Sequence, residues 1–250
     1  MIGDFMDHSQ LWNKYMECYD FLNGLESYSH NISDVAVHAE AHTGSKILDA
    51  GSGTGNLSIL LSARGAAVTS CDFSPAALAV HARKDPSAKL VHASLENPLP
   101  FSDASFDGVC CASVLFALTL PGCINAVNEF HRVVRPGGKV IITAGTRSAN
   151  LTRLLKMYLA TLKQYSPTTA ARRCFVDFPK LLRILYYNFA LRRIPDWQGF
   201  HLFTASELET LLTRAGFLSI SIKSTYGGCF LLAEGWKPVV QPSEVNRAAA

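Results

Sequence analysis

The chain has 250 residues, 48% hydrophobic and 17% charged, with 17 Gly, 11 Pro and a formal net charge of +3. A chain of this length buries roughly three quarters of its unfolded surface without covalent staples, and the composition excludes a disordered tail, a collagen and a coiled coil. The longest uncharged apolar run, Val109 to Asn128, is broken by Ser113, Thr119, Pro121, Gly122 and Asn125 and makes a poor membrane span. Asp4 and Asp7 stand where a signal peptide carries cations, so secretion is not expected. Seven Cys with neither a C-x-x-C pair nor metal-ligand spacing read as reduced thiols of a cytoplasmic protein, with no metal site.

Taken in chain order, residues 1–45 read as a helical cap, with Leu11, Trp12, Tyr15, Met16, Tyr19 and Leu22 on one stripe. Lys46 to Ala50 is a short apolar strand, closed by Gly51-Ser52-Gly53-Thr54-Gly55 and followed by a helix from Asn56 to Arg64 that Gly65 stops. Ala67 to Cys71 is a second strand ending at Asp72, and Ser74-Pro75 opens a helix as N-cap and first helical residue. Lys89 to His92 and Phe106 to Ala112 are the third and fourth strands, with a helix from Ile124 to Val134 after them. Pro136-Gly137-Gly138 turns into a fifth strand, Lys139 to Thr143. After an insertion, Thr204-x-x-Glu207 opens a helix with a capping box and Gly216 ends it. Phe217 to Ser224 and Cys229 to Trp236 are two closing strands.

Strands alternating with helices predict a doubly wound α/β fold. Its sheet is expected to be mostly parallel and seven-stranded, with a C-terminal antiparallel pair and a helical lid insertion. The divisions are a cap at 1–45, a core at 46–146 and 201–240, a lid at 147–200 and a flexible tail at 241–250.

The insertion is distinctive in charge. Between Arg147 and Phe200 stand ten Lys and Arg against Asp177 and Asp196, a balance of +8, so with a total of +3 the remaining residues carry −5. The same stretch holds nine aromatics, Tyr186, Tyr187 and Trp197 among them. Such a segment suits an acidic or lipid-like partner, or else forms solvated helices whose aromatics pack inward.

The chemistry concentrates in Asp49-Ala50-Gly51-Ser52-Gly53-Thr54-Gly55. Its glycines let a backbone turn tightly and approach a ligand, and the helix behind presents free N–H groups. Asp72, at the end of the next strand, occupies the place from which an acid holds a ribose diol. The G-x-G-x-G spacing departs from the G-x-G-x-x-G of dehydrogenases.

These pieces resemble the class I S-adenosylmethionine-dependent methyltransferases, in particular the small-molecule branch that includes quinone-biosynthesis and phospholipid methyltransferases. The resemblance is carried by Ile47 to Gly55, by Cys71-Asp72-Phe73-Ser74, and by Leu99-Pro100-Phe101 with Ser105-Phe106-Asp107. Arg132-Val133-Val134-Arg135-Pro136-Gly137-Gly138 and Phe203 to Phe217 complete it. It implies S-adenosylmethionine as cofactor. Asp49 and the backbone of Gly51 and Gly53 would hold its methionine end, Asp72 its ribose and Phe73 its adenine. Ser94 and Leu95 stand where many members carry an Asp for the adenine amino group, and Ser113 with Val114 would line the sulfonium side. Tyr15 and Tyr19 are similar to the tyrosines of the helix that caps the cofactor in relatives acting on quinones and phospholipids.

The expected activity is transfer of a methyl group by in-line displacement to a small, aromatic or lipid-like acceptor, in which the protein supplies alignment and water exclusion. The lid position implies Tyr186, Tyr187, Arg192, Arg193 and Trp197 as acceptor-binding residues, with membrane-surface contact through the basic lid. The alternatives are an RNA methyltransferase using that lid, although the N/D-P-P-Y/W tetrapeptide is replaced by Ala112-Ser113-Val114-Leu115, and a non-catalytic cofactor-binding module. Nucleic acid is not the expected partner. No general base is identified; His92 and His131 read as structural, while His30, His38, His42 and His201 remain open. Cys110 and Cys111 read as small core hydrophobes rather than reactive thiols.

Overall fold

In a computed structural model, the described residues are 14–15, 26–147, 156, 158–160, 162–191 and 201–239. Helix α1 (Glu26–His38) precedes strand β1 (Lys46–Ala50). There follow α2 (Asn56–Ala63), β2 (Ala67–Asp72), α3 (Pro75–Lys84), β3 (Lys89–His92) and β4 (Phe106–Ala112). The second half holds α4 (Leu120–Val133), β5 (Val134–Gly145), α5 (Pro167–Leu191), α6 (Ala205–Arg214), β6 (Leu218–Thr225) and β7 (Phe230–Trp236).

All seven strands join one sheet in the order β3-β2-β1-β4-β5-β7-β6. The first five are mutually parallel, while β7 runs antiparallel to β5 and β6 antiparallel to β7. The chain steps outward from β1 to β3, then returns to the other flank of β1 with β4. The strand order therefore reverses between β1 and β4, and the crevice at their carboxyl ends is where open α/β sheets take ligands.

Both faces of the sheet are covered, which explains the near-continuous apolar reading of its central strands. One core joins Val109, Cys111, Val140 and Ile142 to Phe130 of α4, Leu208 and Leu212 of α6, and Phe217. The other joins Ile47, Cys110 and Ile141 to Ile32, Val35 and Ala36 of α1 and to Leu57 and Leu61 of α2. Cys110 and Cys111 thus point to opposite faces of one strand, fully buried, and burial raises both thiols well above the ordinary thiol range. They pack as small hydrophobes.

Local chemistry sets the helix ends. Ser74 accepts a bond from the Ala77 amide with Pro75 behind it, and Thr204 and Glu207 close the expected capping box. Two element starts differ from the sequence reading by more than one residue. Helix α4 begins at Leu120, because Thr119 caps it by accepting from the Gly122 amide (3.1 Å) and Pro121 fits the first turn. Strand β5 begins at Val134, before the glycine pair: Phe106 pairs with Val134, a register shift follows, and Lys139 then pairs with Gly108. Gly137 takes φ +76°, and a Cβ on Gly138 would run into the Asp107 carbonyl.

Candidate active site

The loop after β1 is held against β2 by its own backbone. The Gly51 and Ser52 amides both donate to the Cys71 carbonyl, at 2.7 and 2.9 Å. Gly51, Gly53 and Gly55 all have positive φ (78°, 52° and 85°), the conformation glycine adopts without strain. A Cβ on Gly51 would overlap the methyl groups of Val114, and one on Gly55 would overlap the ring of His81. The loop is therefore clamped between the end of β4 and helix α3.

Two carboxylates flank it. Asp72 is buried; one oxygen accepts from the Gly53 amide and the other from the Ser74 amide, each at 2.8 Å. This acid ties the glycine loop to the start of α3. Burial pushes its carboxyl upward, against the pull of those amides. Asp49 is more deeply buried and accepts from the Ser58 hydroxyl (2.5 Å), which also lies 2.7 Å from Ser70 Oγ. Desolvation, with the Asp72 charge adding to it, raises the Asp49 carboxyl to about 7. A buried acid in that state is suited to a cation arriving with a ligand.

At the end of β4, Ser113 is a non-glycine residue at φ 59°. Its amide donates to the Thr143 hydroxyl (3.0 Å) and carbonyl (3.1 Å), which holds the strained turn in place. Asn31 of α1 donates to Ser113 Oγ at 3.3 Å, and Asn31 Oδ1 is buried with no hydrogen-bond partner among the described residues. Sequence reasoning missed Asn31. A polar residue inside an amphipathic helix carries no signal of its own, and its partner lies 82 positions away.

The remaining expected residues fall as follows. Phe73 is half-buried, and its carbonyl lies 2.9 Å from His92 Nε2. Ser94 Oγ accepts from the Glu96 amide (3.2 Å), while the side chain of Leu95 is buried in the core. Tyr15 is buried with its ring edge-on to Tyr187 at 6.2 Å; Tyr187 is also buried, whereas Tyr186 is exposed. Tyr19, Arg192, Arg193 and Trp197 lie outside the described residues.

Most histidines have structural places. His81 is fully buried, and burial lowers its pKa, so it is neutral. His131 packs edge-on against Phe217, and His38 pairs with Glu234 at 2.9 Å. His42 Nδ1 lies 3.0 Å from the Glu40 carbonyl. His30 is exposed, and His201 meets Phe203 edge-on. Among the described residues no three His, Cys, Asp or Glu side chains are grouped to hold a metal ion.

Comparison with known proteins gives a consistent result. A family model described as a methyltransferase domain matches residues 48–142, which run from β1 through β5. A demethylmenaquinone methyltransferase of Staphylococcus aureus is 31% identical over 232 residues, covering 88% of each chain. One from Streptomyces avermitilis is 28% identical, covering 92% of this chain and 94% of its own. Among solved structures, human N-acetylserotonin methyltransferase in complex with S-adenosylmethionine shares the fold. Its TM-score is 0.60 at 16% identity, over 96% of this chain and 60% of the human one.

Proposed function

We infer the acceptor class of a chain that belongs to the class I S-adenosylmethionine-dependent methyltransferases, in the branch that contains the demethylmenaquinone methyltransferases: a small, flat, lipid-like molecule of the quinone type. One observation carries this reading. Similarity to the Staphylococcus aureus enzyme spans 232 residues, far beyond the cofactor-binding stretch at 48–142, so it takes in the cap and lid segments as well.

The residues at the crevice fit the cofactor. When bound, S-adenosylmethionine supplies a methyl group activated on a sulfonium sulfur. Asp49 is read as the partner of its ammonium, since that acid is buried and short of positive charge. Asp72, beyond its bonds to the Gly53 and Ser74 amides, is read as the acceptor for the ribose hydroxyls. Gly51 and Gly53 allow close approach of the backbone, and Phe73 is assigned to the adenine with Ser94 beside it. Leu95, its side chain in the core, is left a backbone role there. Ser113, at the β4 end, is assigned to the sulfonium side, and Tyr15 with Tyr19 to the cap.

The chain's own contribution to the reaction is then positional. Transfer would require the acceptor nucleophile in line behind the methyl carbon, with the sulfonium supplying the methyl as S-adenosylhomocysteine departs and the proton displaced from the acceptor passing to solvent. The Asn31–Ser113–Thr143 linkage fixes the wall beside that line, and the lid residues Tyr187 and Trp197 with Arg192 and Arg193 exclude water and hold the acceptor, whereas Tyr186, expected beside them, is turned outward and exposed. A lipid-like acceptor is met at a membrane surface, with the basic lid facing it.

The test is a mass-spectrometric turnover assay with S-adenosylmethionine and demethylmenaquinone, oxidised or reduced, beside total RNA. The reading expects one methyl added to the quinone and none to RNA. Methylated RNA, or cofactor binding without any quinone product, would overturn the acceptor class.

A further inference from the structure

Helix α5 exposes large apolar side chains where a lid over an enclosed site would bury them. Phe175 is 84% exposed, Phe178 61%, Leu182 48%, Tyr186 58% and Phe189 55%. At about 100° per residue these five fall within one arc of roughly 80°, and from Phe175 to Phe189 the stripe runs about 21 Å. The inner side of the C-terminal half is a different surface, for there Ile184 and Tyr187 are buried and Tyr187 meets Tyr15, whereas Val176 on that side nearer the start of the helix is exposed. Arg172 and Arg183, both exposed, stand roughly 40–60° beyond one edge of the stripe, with Arg173 and Lys180 further round. The described part of α5 carries a single acid, Asp177, which is half-buried on the opposite side.

We propose that the outer face of α5 is a docking surface for an anionic lipid bilayer, lying in the interface with Phe175, Phe178 and Leu182 among the acyl chains and Arg172 and Arg183 at the headgroups. This rests on the reading that the acceptor is lipid-like and adds which face of the lid meets the bilayer. A continuous apolar strip of this kind is uncommon on a surface that stays in water. Aromatic and aliphatic side chains on one face with cations at its edge are what an interfacial helix requires. The helix does not span: no helix of the described residues is long and apolar enough to cross a membrane. A second copy of the chain is a worse occupant, because a two-fold contact along this strip brings Arg172 and Arg183 toward the same charges with little acid to offset them. With the outer face in the bilayer, the inner face at Tyr187 remains turned toward the cap.

Co-sedimentation of the full chain with phosphatidylcholine vesicles, with and without phosphatidylglycerol, tests this. The expected result is binding to the anionic vesicles that weakens with salt, and at least about tenfold weaker binding for the exposed double variant Phe175→Ser/Phe178→Ser. Arg172→Gln should lessen the preference for anionic vesicles while keeping residual binding. Circular dichroism and calorimetric titration with S-adenosylhomocysteine accompany each variant. Unchanged fold and cofactor affinity separate a loss of docking from a failure of the methyltransferase site. Wild-type protein left in the supernatant with anionic vesicles, serine variants that sediment as the wild type does, or a dimer that the serine pair dissociates without vesicle binding would each overturn the proposal. So would binding to RNA that survives the serine pair in the absence of vesicle binding.

Discussion

The side-chain amide of Asn31 lies 3.3 Å from the hydroxyl oxygen of Ser113, joining a helix that precedes the first strand to the end of the fourth. Ser113 is in the left-handed region at φ 59°, and Thr143 holds it from the other side. One half of the Asn31 amide is engaged by Ser113; the oxygen of the other half is buried without a hydrogen-bond partner among the described residues. Buried polar groups without partners are costly, by about 1–3 kcal/mol, so such a group is kept where a function, a bound ligand or an ordered water requires it.

Asn31→Leu removes that group at similar volume. The expected outcome is a fall in kcat/KM for methyl transfer of at least about tenfold, equivalent to ~1.4 kcal/mol. The affinity for S-adenosylhomocysteine, measured by calorimetry, should change by much less. Equal kinetics for variant and wild type would reduce Asn31 to core filling.

Asp72→Ala should weaken S-adenosylhomocysteine binding by about 1–3 kcal/mol, since a charged acceptor is lost from the ribose hydroxyls. The same carboxylate also ties Gly53 to Ser74. Asp72→Asn, which keeps one acceptor oxygen, should therefore fall between alanine and wild type in both affinity and thermal midpoint. Affinity indifferent to both changes would remove the ribose from this acid.

Asp49 gives a pH dependence with a definite sign. Its carboxyl is raised to about 7 by burial and by the neighbouring Asp72. A cationic ammonium favours the ionised form, so calorimetric affinity for S-adenosylhomocysteine should climb with pH between about 5 and 7, by up to about tenfold per unit, and level off above. For the ligand-free protein the sign reverses. In that window the folded state retains a proton that the unfolded chain has released, so this acid's contribution to stability is full below about pH 4 and is lost as pH rises through about 7. Asp49→Asn should flatten both profiles; a variant with the wild-type slope in each would place the titration elsewhere.

Gly51→Ala should lower the thermal midpoint and abolish measurable cofactor binding, because the residue is at φ +78° and the new methyl overlaps Val114. Adding Val114→Ala relieves the overlap but leaves the left-handed strain of about 1–2 kcal/mol. The double variant should recover part of the midpoint and remain below wild type. Full recovery would show that packing alone requires the glycine.

Much of this architecture could be read along the chain, because strand, glycine loop, acid and capping box are local patterns that local physics obeys. What the chain order hides is which end of the sheet a motif residue occupies. Asp49, Gly51, Asp72 and Ser113 meet at the carboxyl ends. The equally recognisable Asp107 and Arg132 serve the scaffold: Asp107 accepts from the Lys46 amide (2.6 Å) and pairs with Arg135 (2.5 Å). Arg132 bonds Glu129, Asp103 and the Leu99 and Phe101 carbonyls. Helix α4 began earlier than its apolar spacing suggested, since Leu120-Pro121-Gly122 reads as a turn unless Thr119 is recognised as its cap. The aromatics of the insertion could be counted but not aimed; Tyr186 and Tyr187 are neighbours in sequence, yet one faces out and the other in.

The most direct test of the site is a crystal structure with S-adenosylhomocysteine. Both ribose hydroxyls are expected within hydrogen-bond reach of the Asp72 carboxylate, the ammonium at Asp49, and the sulfur turned toward Ser113 and Asn31. A ligand bound away from the β1–β4 crevice, or one whose ribose leaves Asp72 without a contact, would contradict this placement.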